Sequence, residues 1–108
     1  MMNAETKIQR NIQKFLNLNK ILNWRNSDTK TSGMPDLMAC YKGFLIGLEV
    51  KTETGRPTEL QKRKIQSIKD AGGYGIFPTS VQDVLKLLRM IEAEDHLRRW
   101  YWDRTRNK

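Results

Sequence analysis

A chain of 108 residues is long enough for one globular domain and too short for two. Its formal net charge of +8 favours an anionic partner such as nucleic acid, although a merely soluble basic protein can have the same balance. One cysteine excludes an internal disulfide, and with a single histidine it argues against a zinc site. No apolar run approaches the length of a membrane span, so we expect no membrane association. The use of a single cysteine leads us to expect a reducing cytoplasm.

The first part of the chain has the spacing of an amphipathic helix. Apolar residues recur three and four positions apart over residues 5–22, and Asn3 stands where an N-cap belongs. Glu5 falls on the apolar face, so its carboxylate is expected to point inward, although the helix dipole alone also favours an acid there. Residues 21–25 can turn into a short strand, and residues 26–33 form a polar loop.

Two strands are predicted next, over residues 36–41 and 44–51, joined by a Lys42-Gly43 turn. With those two residues in the turn, Asp36 stands opposite Glu49 and both side chains lie on one face of the sheet, with Cβ atoms ~5 Å apart. Lys51 is two residues beyond Glu49 and therefore shares that face.

The second half of the chain alternates helix, strand and helix. Thr58 and Gln61 fit a capping box that opens a helix, which Gly72-Gly73 ends. Residues 74–77 form a short strand, and Ser80 opens a final helix. The predicted fold class is α/β in the order αβββαβα, with a small mixed sheet flanked by helices and a single domain over residues 1–108.

The opposed carboxylates suggest a metal site. Asp36 and Glu49 repel each other unless one takes up a proton or a cation lies between them, and Mg²⁺ prefers such hard oxygen ligands. The Val50 carbonyl could be a further ligand, and Lys51 could stabilise charge on a phosphate during metal-assisted hydrolysis. The alternative is that Asp36 caps a turn and that Glu49 and Lys51 are a solvated surface pair.

Gly33-Met34-Pro35-Asp36, then Glu49-Val50-Lys51, then Gln61, together with the early Glu5, resemble the PD-(D/E)XK nuclease superfamily. The later Gly72-Gly73 before a short strand makes the chain most similar to the stand-alone form of its VRR-NUC branch, over about residues 5–88. The resemblance implies a restriction-endonuclease-like core. It also implies an Mg-dependent DNA endonuclease that resolves Holliday junctions as a homodimer, in a bacterial or phage-infected cell.

The same resemblance implies roles for individual residues. Asp36, Glu49, the Val50 carbonyl and Glu5 would bind Mg²⁺, for which Mn²⁺ could substitute. Lys51 would be the catalytic lysine, with Gln61 oriented towards the site. Gln61 also has the capping box as its own explanation, and the two roles are compatible.

Basic residues bracket this predicted site, and contacts to DNA phosphates are expected from Arg25, Lys30, Arg56, Lys62 and Arg63. Each of them is equally well explained as a solvated surface residue. The basic, aromatic tail over residues 96–108 could stack on bases, form a dimer or pack on its own domain. The competing functions are a nuclease for flaps, nicks or linear duplex, and a non-catalytic DNA-binding module.

Overall fold

The computed structural model describes residues 2–106, and side chains through residue 101. Within these residues, three helices and four strands follow in the predicted αβββαβα order: α1 (Ala4–Leu18), β1 (Leu22–Arg25), β2 (Leu37–Tyr41), β3 (Phe44–Leu48), α2 (Glu59–Asp70), β4 (Tyr74–Ile76) and α3 (Val81–Arg106). The predicted α/β class is therefore confirmed.

The sheet has the strand order β1-β2-β3-β4. β1 and β3 flank β2 in antiparallel pairs, and β4 lies parallel to β3, so the sheet is mixed. Tyr41 pairs with Phe44 and Leu37 with Leu48, which confirms the register expected from the sequence. Lys42 and Gly43 both have positive φ, at 53° and 83°, as a type I′ hairpin turn requires.

One face of the sheet carries the main hydrophobic core. Successive strand residues point to opposite faces, so Leu37 and Ala39 of β2 lie on the same face as Ile46 and Leu48 of β3. Helices α1 and α3 cover this face with buried residues that include Ile12, Leu16, Val84, Leu88 and Ile91. Residues that alternate with the core positions therefore point to the other face, against which α2 packs.

Glycines let α2 approach that second face closely. Gly47 of β3 pairs with Gly75 of β4, and neither has a side chain to hold the helix away. A Cβ added at Gly47 would lie 2.6 Å from Ile68 Cδ1, and one at Gly75 would lie 2.9 Å from Ile65 Cγ2. The buried side of α2 therefore rests directly on the β3 and β4 backbones. This packing holds the start of α2 near the start of β2 and the end of β3.

Helix α1 is shorter than predicted. Asn3 is its N-cap, as expected, and its side chain accepts a hydrogen bond from the Thr6 N–H at 2.8 Å. The helix ends at Leu18, because Lys20 adopts a left-handed conformation with φ of 56°. The Ile21 N–H then donates to the Leu16 carbonyl at 2.9 Å, which is the bond of a Schellman motif and sets the direction of β1.

Helix α3 is longer than the predicted core helix, because the segment assigned to a basic tail continues it to Arg106. Trp100 and Tyr101 remain exposed, so neither lies in the core. The side chains of residues 102–106, Trp102 among them, and residues 107 and 108 lie outside the described part of the chain. Among the described residues, no helix has both the length and the apolar character needed to cross a bilayer.

We expect Gly73→Ala to destabilise the fold by about 1–3 kcal/mol, because its methyl group would overpack the contact between α2 and the sheet. The added Cβ would lie 2.7 Å from the Leu45 carbonyl oxygen and 2.8 Å from Ile68 Cγ2. Urea denaturation measures the change. Gly55→Ala, in an exposed loop, is the control and should stay within about 0.5 kcal/mol. Equal stability of the two variants would contradict this account of the glycines.

Candidate active site

The open end of the β2–β3 hairpin holds two carboxylates, which exchange hydrogen bonds with the backbone of the opposite strand. The Asp36 N–H donates to Glu49 Oε2 at 3.2 Å, and the Val50 N–H donates to Asp36 Oδ2 at 3.1 Å. Asp36 and Glu49 lie one position beyond the last pair of the ladder, Leu37 and Leu48. The hairpin register thus brings the two predicted acids together.

On its other side, this end of β3 is fixed by continued pairing with the segment after β4. The Glu49 N–H donates to the Ile76 carbonyl and the Lys51 N–H to the Pro78 carbonyl, each at 3.1 Å. Because N–H directions alternate along an extended chain, the Val50 N–H faces Asp36, and in an extended strand its carbonyl faces the same way. The Val50 side chain is buried in the core.

Burial makes the Glu49 carboxylate costly to ionise. Only 1% of the residue is exposed. Desolvation raises the pKa of Glu49 to about 8, and hydrogen bonding and charge repulsion from Asp36 add to this effect. The positive charge of Lys51 acts in the opposite direction and lowers the pKa of Glu49. Lys51 is therefore close enough to act electrostatically on Glu49.

One oxygen of this site lacks a hydrogen-bond partner. Glu49 Oε2 accepts from Asp36, but Glu49 Oε1 is buried without a partner among the described residues. An orphaned buried acceptor is costly unless a donor or a cation reaches it. Two carboxylates and a nearby carbonyl are hard oxygen donors, so the residues present fit a small divalent cation.

The two helical residues predicted for the site lie in different layers. Gln61 is in the first turn of α2, on the site's side of the sheet, and its Oε1 accepts from the Thr58 N–H at 2.9 Å, which confirms the capping box. Glu5 is in the first turn of α1, whose buried residues pack on the opposite face. Within the described chain, no three acidic, histidine or cysteine side chains are grouped to hold a metal ion, so Glu5 does not complete a ligand cluster.

The predicted DNA contacts are on the surface. Arg25 ends β1, Lys30 lies in the loop before β2, Arg56 lies in the loop before α2, and all three are exposed. Lys62 and Arg63 are exposed on α2, where Lys62 forms a salt bridge with Glu59 at 3.3 Å. All five cations therefore face solvent, where a polyanion could reach them, although Lys62 would first have to leave its ion pair with Glu59.

Sequence reasoning missed Asn26, which supports the strand that carries Asp36. The Asn26 Nδ2 donates to the Pro35 carbonyl at 2.7 Å, and the Asn26 N–H donates to the Asp36 carbonyl at 3.0 Å. Both bonds hold the backbone that leads into the site. No local signal could have found this role, because asparagine is common in loops for many reasons.

The comparisons with known proteins concern the fold. A solved structure described as a VRR_NUC domain superposes with a TM-score of 0.69 and 24% identity, covering 82% of this chain and 97% of that one. The chain has the VRR_NUC fold. A second structure, described as a VRR_NUC domain protein, gives a TM-score of 0.66 at 14% identity and covers 83% of this chain and 88% of that one. No family model and no curated protein sequence matches the chain.

Within this VRR_NUC fold, the carboxylate pair and the hairpin turn are at opposite ends of β2 and β3. Beside the turn, a groove lined by Lys42, Arg98 and Tyr101 runs against α3. Five residues of strand separate it from the carboxylates, a distance of about 17 Å. This groove therefore takes no part in the candidate active site.

We expect the metal-free protein to lose stability as the pH rises from about 4.5 to about 8. The pKa of Glu49 is about 8 in the folded chain against an ordinary value of 4.5, so folding favours its protonated form. The contribution of this group is fully present below pH 4.5 and is lost as pH rises through the folded pKa.

Urea denaturation in EDTA across this pH range measures the effect. Glu49→Gln, which cannot ionise, should remove this component of the pH dependence and be the more stable protein at high pH. Identical pH profiles for Glu49→Gln and the wild type would show that Glu49 ionises normally in the folded chain.

Proposed function

We propose that this chain is an Mg²⁺-dependent endodeoxyribonuclease of the VRR-NUC family that hydrolyses phosphodiester bonds in branched DNA as a homodimer. The observation that carries the proposal is the buried, unpartnered Glu49 Oε1 beside the Asp36 carboxylate, with Lys51 acting on the same group. A merely structural pair of acids would not need a buried oxygen without a donor.

Asp36, Glu49 and the Val50 carbonyl would hold the Mg²⁺ ion. Mn²⁺, which accepts the same oxygen donors, is expected to substitute. When bound, the ion would polarise the scissile phosphate and make water a better nucleophile. Both carboxylates must be ionised to bind it, so binding would release the proton that burial favours on Glu49.

Lys51 would supply positive charge where negative charge grows on the phosphate in the transition state. Its backbone is fixed by the bond to the Pro78 carbonyl, so the chain segment that carries the ammonium group is positioned before substrate arrives. Gln61 is held by the capping box at the first turn of α2, from which it would orient water or phosphate at the edge of the site.

DNA would lie across the exposed cations around the site. Arg25, Lys30, Arg56, Lys62 and Arg63 would contact phosphates, which gives affinity that falls with salt and reads little sequence. Five such contacts correspond to a slope of about −4.5 in log K against log salt concentration. Recognition of branched DNA by shape is consistent with contacts of this kind.

Lys51→Ala should lower the rate of Mg²⁺-dependent cleavage of a four-way junction by about 10²–10³-fold, because it removes one positioned charge from the transition state. Single-turnover cleavage of labelled junctions measures the rate. Lys86→Ala is the matched control, since it removes the same charge from an exposed position on α3.

Equal cleavage by wild type and Lys51→Ala would contradict the proposed role of Lys51. Binding without any Mg²⁺-dependent cleavage would favour a DNA-binding module instead. The same assay on a flap, a nicked duplex and a linear duplex separates the junction proposal from the other nuclease substrates.

The homodimer is a separate prediction. A junction resolvase must cut two strands at related positions, which a two-fold dimer achieves by presenting two identical sites. Light scattering should therefore give twice the mass of the 12.7 kDa chain at working concentration. A single-chain mass together with unpaired cuts in the junction would contradict it.

A further inference from the structure

Trp24 is an exposed aromatic residue on the edge strand β1. It retains 41% of its surface exposed and is outside the core cluster. Tryptophan is usually more fully buried, and when it is not, its flat apolar ring and polar N–H suit a binding surface. The residue therefore calls for a functional explanation.

The sheet register places Trp24 on the same face as the candidate active site. Trp24 pairs directly with Met38, so the two side chains share a face. Asp36 lies two residues before Met38 on the same strand and therefore points to that face as well. Residues two apart on a strand are separated by about 6.7 Å, so the Trp24–Met38 pair lies about this far along the sheet from the Asp36–Glu49 pair.

The outer part of this face is only partly covered. Helix α2 packs on β3 and β4, where the glycines let it approach, and Met38 of β2 is buried. Among the described residues, α2 does not pack comparably on β1. Leu22, on the same face as Trp24, is 68% exposed, and Leu45 is 42% exposed. The face thus runs from the buried carboxylates to an uncovered apolar area at the edge of the sheet.

Charge indicates what occupies this area. Lys51 lies on the same face. Lys64 is half-buried on α2, one turn after Leu60, which lies against Gly33 in the loop between β1 and β2. A second copy placed on this face would bring Lys51 and Lys64 close to the same two cations of the other copy. A polyanion with flat apolar groups, such as DNA, complements both the charge and the aromatic ring.

We propose that Trp24 stacks on an unpaired nucleobase of the DNA strand whose phosphate lies at the Asp36–Glu49 pair. The inference rests on the proposed function and adds a substrate requirement to it. A base within a duplex has no free face, so the nucleotide beside the phosphate that is cut must be unpaired in the complex, as it is in a gap or where the branch point of a junction opens. Trp24 would thereby select DNA that is open at this position over continuous duplex.

The test measures binding without divalent metal, so its outcome does not depend on cleavage. A continuous duplex and the same duplex with a two-nucleotide gap each carry 2-aminopurine at the same position. Fluorescence anisotropy gives the dissociation constants, and quenching of 2-aminopurine reports stacking. The variants are Trp24→Ala, Trp24→Phe and the control Met90→Ala, which removes exposed apolar surface from α3 on the other side of the sheet.

Trp24→Ala should weaken binding to the gapped DNA by between about fivefold and a hundredfold, change duplex binding by less than about twofold, and abolish the quenching. Trp24→Phe should retain most of the affinity and quenching, and Met90→Ala should behave as wild type.

Equal losses on both DNAs, equal losses for Met90→Ala, or no DNA binding by the wild type would overturn the inference. A fall in sedimentation mass for Trp24→Ala would instead identify a second copy as the occupant. If the protein shows no Mg²⁺-dependent cleavage but Trp24→Ala still weakens binding to the gapped DNA selectively, the result would contradict the nuclease proposal and not the stacking proposal.

Discussion

The structure depends on one reciprocal contact: the carboxylates of Asp36 and Glu49 each reach the backbone of the other strand. The Asp36 N–H binds Glu49, and the Val50 N–H binds Asp36. These bonds replace the next step of the β2–β3 ladder and force two acids together where water is largely excluded. Because one Glu49 oxygen has no partner among the residues that the structure describes, the contact is satisfied there only when a proton or a cation is present.

The rest of the fold holds this costly arrangement in place. The hydrophobic core on the opposite face anchors both strands through residues that alternate with the acids, such as Leu37, Leu48 and Val50. The segment after β4 accepts the N–H groups of Glu49 and Lys51, and Asn26 fixes the approach to Asp36. A destabilised pair supported by a stable scaffold is the usual physical state of a binding or catalytic site.

The sequence was sufficient for the features that local rules determine. The Lys42-Gly43 turn specified the register and hence the encounter of Asp36 with Glu49, and the Thr58 capping box specified the start of α2. The end of α1 could not be predicted from the sequence, because Lys20 adopts the left-handed conformation that a glycine usually adopts at the end of a helix. The hydrogen bonds of Asn26 and the exposure of Trp24 depend on which elements meet in space, which periodicity does not encode.

The central claim is that the orphaned oxygen of Glu49 and the carboxylate of Asp36 bind one divalent ion between the strands. Anomalous diffraction from crystals grown with Mn²⁺ tests it most directly. The account predicts a strong anomalous peak within about 2.5 Å of both carboxylates, absent from crystals of Asp36→Asn grown in the same way. An ordered structure of the wild type with saturating Mn²⁺ and no peak at this position would contradict it.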